Sequence, residues 1–210
     1  MKSPTIKAVL YVLALFFVVS AVSAQEIKNT SYTAPDGMRV LRHELIVDAE
    51  RQEVWKAFTT SEGWKSWAVP VAFVDFRRGG TIETSYDADA KAGDPANIVH
   101  EILSYLPGEM LSMRVIQTPP QFPFGELMDE MWAVFTFEDA GTGKIKVTAA
   151  GAGYLDGEGY DTLYGFFEKG NAMSLRQLQQ MLREGPVDWD EKLEAMTQHG
   201  EAAGAASEKE

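Results

Sequence analysis

The alternation of hydrophobic and polar positions predicts an antiparallel sheet through the middle of the chain. The first strand candidate is residues 39–47, where Leu41, Leu45 and Val47 mark one buried face. Only Ile46 breaks this alternation. Turns containing Gly or Pro separate the later candidates, and strands this close in sequence pair antiparallel. These later candidates are residues 71–76, 81–86, 98–105, 111–117, 132–138 and 144–150.

Two short helices are predicted directly after the first strand. Residues 50–59 have an apolar helical face, and the carboxylate of Asp48 can accept a hydrogen bond from the backbone where this helix starts. Thr60 or Ser61 can cap the second helix in the same way. The apolar side chains of the two helices are Val54, Trp55, Phe58, Trp64 and Trp67.

The clearest helix of the chain is residues 159–183, which a Gly-Pro pair ends. Its apolar stripe has large side chains at both ends and small ones in the middle, at Gly170, Asn171 and Ser174. A small middle either leaves a cavity under the helix or lets a curved sheet approach the helix backbone closely. The stripe consists of Leu163, Phe167, Gly170, Asn171, Ser174, Leu178, Met181 and Leu182.

Residues 1–24 have the pattern of a secretory signal peptide. Lys2 and Lys7 precede an apolar run at residues 8–19, and the Val-Ser-Ala sequence that ends at Ala24 fits a cleavage site. The run is short for a bilayer span, so we expect cleavage near Ala24 and export to the periplasm or the medium. Retention as an N-terminal anchor is the alternative.

The composition is that of one folded domain behind this leader, with 45% hydrophobic and 24% charged residues. Residues 25–37 are polar and read as a linker. The domain is expected at residues 38–184, followed by an acidic, mobile tail at residues 185–210.

Charge and motif content exclude several classes of function. Cleavage removes two of the 19 basic residues and none of the 31 acidic ones, so nucleic acid and anionic lipid surfaces are not expected partners. The chain has no cysteine, and His43, His100 and His199 lack the spacing of a metal site. No nucleophile elbow, phosphate loop or dinucleotide fingerprint occurs. The sequence therefore predicts no metal site, no cofactor and no set of catalytic residues.

Eight segments, in their order along the chain, resemble one superfamily. They are residues 47–49 (VDA), 53–59 (EVWKAFT), 64–67 (WKSW), 76–80 (FRRGG), 100–113 (HEILSYLPGEMLSM), 135–138 (FTFE), 151–154 (GAGY) and 164–182. They resemble the START-like superfamily, also called SRPBCC, and within it the domain named for the activator of heat-shock protein 90 ATPase. The resemblance covers about residues 38–184.

This resemblance implies an α+β helix-grip fold. A curved antiparallel sheet of six to seven strands surrounds the long C-terminal helix, and two short helices follow the first strand. In different members of the superfamily, the cavity between sheet and helix holds lipids, sterols, plant hormones or polyketides. One such fold serves many unrelated sites, so it does not by itself identify a ligand.

The expected cavity wall combines aromatic side chains with the small residues of the long helix, although ordinary core packing is the alternative for each aromatic residue. Three polar groups are candidates to point inward, with an exposed or paired position as the alternative. The expected wall residues are Trp55, Phe58, Trp67, Met113, Phe135, Phe137, Tyr154, Phe167, Gly170, Asn171 and Ser174. The polar candidates are His43, Glu101 and Arg114.

The interpretation that follows is an exported binding protein for a hydrophobic small molecule or lipid. A polyketide-cyclase-like enzyme, which would need an acid or base in the cavity, is one alternative. Another is a protein-interaction module of the cell envelope, and homodimer formation is left open. The Pro- and Phe-rich residues 118–130 would be the exposed surface of such a module, or else a lid over the cavity. Activation of a cytosolic ATPase conflicts with the leader.

Overall fold

The computed structural model describes residues 25–195. The predicted leader, His199 and the end of the predicted tail lie outside the described residues. The helices are α1 (Arg51–Thr59), α2 (Ser61–Trp67) and α3 (Glu158–Glu184), with one 3-10 turn at Gly125–Leu127, and residues 189–195 are also helical. The strands are β1 (Lys28–Asn29), β2 (Tyr32–Thr33), β3 (Arg39–Asp48), β4 (Val71–Val74), β5 (Thr81–Ser85), β6 (Ile98–Leu106), β7 (Met110–Gln117), β8 (Trp132–Asp139) and β9 (Lys144–Tyr154).

The strands of the described residues form one antiparallel sheet in the order β1-β3-β9-β8-β7-β6-β5-β4, with β2 also paired to β3. Strands β4 to β9 follow one another as hairpins, and β9 returns beside β3. Because β1 and β2 have only two residues each, seven strands carry the sheet. The predicted α+β helix-grip fold is therefore confirmed, including the two short helices after the first long strand.

The register of β3 and β9 defines the inner face of the sheet. Leu45 lies opposite Val147, and His43 lies opposite Ala149; all four side chains are buried. The alternation predicted for the first strand is confirmed, because Ile46 is only half-buried between the buried Leu45 and Val47.

The predicted cap of α1 is wrong, whereas one of the two candidate caps of α2 is present. Asp48 is the last residue of β3, where its carboxylate pairs with Lys144 of the adjacent strand. Glu50 takes the N-cap position without a side-chain hydrogen bond. For α2, the hydroxyl of Thr60 accepts a hydrogen bond from the Gly63 N–H at 2.9 Å.

Helix α3 packs mainly on β3, β9 and α2. Its C-terminal half contributes Leu175 and Leu178 to the main core, and its N-terminal half places Leu163 in a second apolar cluster with Leu41 and Tyr154. The helix is thus held by apolar contacts towards both ends, which agrees with the predicted stripe. Within residues 25–195, no helix combines the length and hydrophobicity that a membrane crossing requires.

Residues 25–37 are not a free linker. They form β1 and β2 on the outer edge of β3, and the carbonyl of Gln25 accepts a hydrogen bond from the side chain of Gln179 at 3.1 Å. The physical reason is that the edge of β3 would otherwise expose unpaired backbone groups.

The start of the predicted mobile tail is also tied to the domain. The N–H of Val187 donates to the carbonyl of Ser66 at 2.9 Å, and the indole N–H of Trp189 donates to the carbonyl of Lys65 at 2.5 Å. An aromatic side chain at position 189 gives this otherwise acidic segment an anchor on α2.

Gly153 permits a close approach between β9 and the loop that precedes β8, and this contact can be tested. Its φ is +95°, and an added Cβ would lie 1.9 Å from the carbonyl oxygen of Glu130. We expect Gly153→Ala to lower the free energy of unfolding by about 2 kcal/mol or more, because the backbone at Glu130 must move.

Gly165→Ala is the matched control, since an added Cβ there meets nothing within 4 Å in α3. It should raise the free energy of unfolding by about 0.5–1 kcal/mol. Urea denaturation measures both variants, and similar values for the two would contradict the close approach.

Candidate functional site

A cavity of about 280 Å³ lies between α3 and the inner face of the sheet. Its lining comes from α2, from β5 to β9, from the loop before β8 and from the middle of α3. The cavity exists where side chains are small, at Ala133, Ala149 and Gly151 of the sheet and at Asn171 and Ser174 of the helix. The small residues Asn171 and Ser174 in the middle of the predicted stripe therefore lie over a void.

Large apolar side chains form the rest of the wall, and several are fixed by hydrogen bonds. The indole N–H of Trp64 donates to the carbonyl of Phe58 at 2.8 Å, and that of Trp67 donates to the carbonyl of Ala57 at 3.0 Å. The two indoles stack with ring centroids 5.6 Å apart. These contacts prevent the rings from turning into the cavity and filling it.

The mouth of the cavity is marked by two exposed aromatic residues. Tyr86 is 53% exposed and Trp132 is 36% exposed, although both also line the cavity. Solvent-exposed aromatic rings beside an apolar opening are typical of binding sites.

The loop at residues 118–130 covers one end of the cavity. Its Met128, together with Met131, is buried and lines the wall. The rings of Phe122 and Phe124 pack on Phe166 of α3, with centroid distances of 5.9 and 5.8 Å. The loop therefore covers the helix at this end of the cavity. Its two Phe rings face the helix and are half-buried, so they do not project into solvent.

Seven of the predicted wall residues line this cavity, and three aromatic ones do not. Trp55 and Phe58 lie on α1 and Phe137 lies on β8, and the ring centroid of Phe137 is 5.7 Å from that of Trp55 and 5.1 Å from that of Phe58. They belong to the main core or pack on it, and ordinary core packing was the alternative to a wall position for each of them. The predicted residues that line the cavity are Trp67, Met113, Phe135, Tyr154, Phe167, Asn171 and Ser174.

Gly170 does not line the cavity, so this expectation is wrong. An added Cβ at Gly170 would meet nothing within 4 Å, although the neighbouring Asn171 faces the void. Successive residues of a helix point in directions 100° apart, so Gly170 faces away from the void that Asn171 lines, and the predicted stripe is too wide by one residue.

The three predicted polar groups have different positions. His43 is buried on the inner face of β3 but outside the cavity, and its Nδ1 has no hydrogen-bond partner among the described residues. Glu101 lies outside the cavity and pairs with Arg114, whose Nε is 2.9 Å from its carboxylate. Arg114 reaches the cavity lining while it is held by this pair.

The polar residue that the sequence reasoning missed is His100. It lines the cavity from β6, opposite Ile82 on one side and Val115 on the other. Strand parity places His100 on one face with Ile102 and Glu101 on the other, and the full burial of Ile102 in the structure shows that the face of His100 is the inner one. The other lining residues absent from the prediction include Trp64, Val69, Thr84, Tyr86, Ile98, Met128, Met131 and Trp132.

Burial lowers the pKa of both inner-face histidines. It lowers the pKa of His100 to about 4, against a smaller opposing effect of the Ile82 carbonyl. Burial also lowers the pKa of His43, with Glu168 acting in the opposite direction and Arg176 in the same one. Burial likewise raises the pKa of the Tyr154 hydroxyl. At neutral pH the cavity wall therefore carries no charge apart from the paired Arg114.

The described residues 25–195 contain no group of three or more acidic or imidazole side chains arranged to hold a metal ion. The chemistry available in the cavity is apolar contact together with a few uncharged hydrogen-bonding groups.

Comparison with known proteins supports one family and one fold. The family described as Activator of Hsp90 ATPase homolog 1-like protein matches residues 48–183. No curated protein matches the chain. The three similar solved structures described next share at most 21% sequence identity with this chain, so they bear on the fold alone.

Three of these structures cover most of the domain. The solution structure of the Aha1 dimer from Colwellia psychrerythraea has 16% identity and a TM-score of 0.55, and the match covers 70% of this chain and 97% of that one. CalU16 from Micromonospora echinospora has 21% identity and a TM-score of 0.54, covering 87% and 97%. DynU16, a protein in the dynemicin biosynthetic locus, has 17% identity and a TM-score of 0.55, covering 70% of this chain and 48% of that one.

The buried histidines predict a loss of stability in mild acid. The folded-state pKa of His100 is below the usual value of 6.5, so the unfolded chain binds the proton first, and stability falls as pH decreases from about 6.5 towards 4. Between pH 7.5 and 5.0 we expect His100 to account for about 1–2 kcal/mol of that loss. Urea denaturation of the wild type and His100→Asn at both pH values measures the difference. An equal loss in both proteins would show that His100 titrates normally in the folded state.

Proposed function

The chain belongs to the family of Activator of Hsp90 ATPase homolog 1-like proteins, and from this premise we propose that it is a binding protein for an apolar small molecule or the apolar part of a lipid. The ligand would occupy the cavity between α3 and β5 to β9. The observation that supports this proposal most is the void itself, which persists under the middle of α3 although the helix is packed towards both of its ends.

The size of the cavity suits a ligand of about two rings. An engineered protein cavity of about 150 Å³ holds benzene, and this one has about 280 Å³ with an open mouth. Covering roughly 250 Å² of ligand surface at about 25 cal/mol per Å² gives a gross gain near 6 kcal/mol. That gain corresponds to a dissociation constant of tens of micromolar before the costs of association are subtracted.

Binding is favoured over catalysis by what lines the cavity. A cyclase-like reaction would need an acid or base held near the substrate, and among the described residues 25–195 the wall has one imidazole, His100, and no carboxylate. Its lowered pKa makes it a weak base at neutral pH. The polyketide-cyclase-like enzyme remains the second candidate.

Direct binding of a fluorescent apolar probe tests the binding proposal. We expect the wild type to bind the uncharged dye N-phenyl-1-naphthylamine with a dissociation constant of about tens of micromolar. Asn171→Trp should weaken binding at least about tenfold, because the indole would occupy space that Asn171 leaves open.

Gly170→Leu is the matched control, since it adds a large side chain one position away, on a surface where an added Cβ meets nothing within 4 Å. Its affinity for the dye should equal that of the wild type. If Asn171→Trp bound the dye as well as Gly170→Leu does, the dye would have to bind outside the cavity and the proposal would be wrong.

We also propose that the chain is exported after cleavage behind Ala24. The proposal is supported by the apolar run at residues 8–19 with its preceding lysines and by the Val-Ser-Ala sequence. In a cleaved chain the first residue would be Gln25, whose carbonyl is bonded to Gln179 in α3. Export would separate the chain from cytosolic ATP, and we therefore do not extend the ATPase activation in the family name to it.

Expression of the full chain in a bacterial host tests export. Intact mass and N-terminal sequencing of the periplasmic fraction should give a protein that begins at Gln25. Ala24→Phe should leave the leader attached, because the signal peptidase requires a small residue there. A wild-type protein that keeps residue 1 in the cytosolic fraction would contradict the proposal.

A further inference from the structure

The wall of the cavity offers one polar atom that can only accept a hydrogen bond. Nδ1 of His100 lies 3.4 Å from the carbonyl oxygen of Ile82. A carbonyl oxygen only accepts hydrogen bonds, so this contact places the proton of the neutral ring on Nδ1. Nε2 then carries a lone pair and no proton.

The neutral form of His100 persists at the pH of most measurements. Burial lowers its pKa to about 4, so the ring is uncharged at pH 7. Nε2 of His100 makes no hydrogen bond within residues 25–195. It also retains some accessible surface, unlike Nδ1 of His43, which is fully buried and unpaired. The acceptor of His100 is therefore reachable from the cavity that this residue lines.

Most of the other polar side chains on the wall do not favour a particular ligand group. The hydroxyls of Thr84, Tyr86, Tyr154 and Ser174 and the amide of Asn171 can each donate or accept, and the indole N–H of Trp132 at the mouth only donates. Arg114 is occupied by Glu101, at 2.9 Å from Nε and 2.8 Å from Nη2. Among residues 25–195, no Asp or Glu is part of the lining, so no carboxylate of this part of the chain would compensate a cationic ligand there.

We propose that the cavity recognises an uncharged apolar alcohol or phenol, whose hydroxyl group donates a hydrogen bond to Nε2 of His100. The inference rests on the proposed function and specifies the chemical class of its ligand. A ligand without a donor leaves Nε2 desolvated and unpaired, which weakens binding. An anionic ligand would have to break the pair between Arg114 and Glu101.

Calorimetric titration with four naphthalene compounds at pH 7 tests this inference. The compounds are 2-naphthol, 2-methoxynaphthalene, naphthalene and 2-naphthoate, which offer a donor, an acceptor only, neither, and a negative charge. We expect 2-naphthol to bind about tenfold more tightly than the methoxy compound and naphthalene, the usual effect of one net hydrogen bond. The naphthoate should bind most weakly.

His100→Leu should remove the preference for 2-naphthol while it retains the binding of naphthalene. His43→Leu is the matched control, because it replaces the other histidine of the inner face, which does not line the cavity, and the preference should be unchanged. The ¹⁵N resonances of the His100 ring in the wild type give a readout that needs no variant. Nε2 should have the shift of an unprotonated nitrogen and should move when 2-naphthol is added.

The outcomes separate the inference from the function on which it rests. Equal affinity for 2-naphthol and 2-methoxynaphthalene, tightest binding of the naphthoate, or a protonated Nε2 would each overturn the inference and leave the binding function in place. Failure of all four compounds to bind would overturn the proposed function as well.

Discussion

The attachment of α3 towards its two ends is the constraint on which the rest of the structure depends. Leu175 and Leu178 fix the C-terminal half in the main core, and Leu163 fixes the N-terminal half in the second cluster. Because these contacts and the packing on β3, β9 and α2 determine where the helix lies, its middle does not need to touch β5 to β8. The strands curve past the helix, and the space between them becomes the cavity.

A void in a protein core is normally lost, because neighbouring side chains turn into it and regain contacts. Here the neighbouring rings are held elsewhere. The indoles of Trp64 and Trp67 donate to carbonyls of α1, and the ring of Phe58 is packed against Trp67 and Phe135 with centroids 5.1 and 5.0 Å apart. On the sheet, Ala133, Ala149 and Gly151 are too small to reach across the gap. The architecture is thus consistent with a preformed binding site rather than with a packing defect.

Much of this fold could be predicted from local sequence, because hydrophobic period and turn residues act over short distances. The strands and helices lie within a few residues of their predicted bounds, and the small middle of α3 marked the cavity. Faces were harder to predict. One strand shows which residues share a face, but which face is inner depends on neighbouring strands, and this is why Glu101 was named in place of His100.

Contacts between distant segments could not be predicted in the same way. The attachment of β1 to β3 and of Trp189 to α2 depends on surfaces that exist only after folding, so residues 25–37 and the start of the tail looked free. Asp48 satisfied the local rule for a helix cap, but Lys144 is its partner across the sheet. Trp55, Phe58 and Phe137 are aromatic like the wall residues, and only the contact between α1 and β8 places them with the core.

The central claim is that an open apolar cavity exists beneath the middle of α3. It is tested most directly by a crystal structure of the protein soaked with 1-bromonaphthalene, whose bromine is located by its anomalous signal. The account predicts one bromine site between Met113 and Phe167, within contact distance of Asn171. A structure in which side chains fill that space, with no bromine signal there, would contradict it.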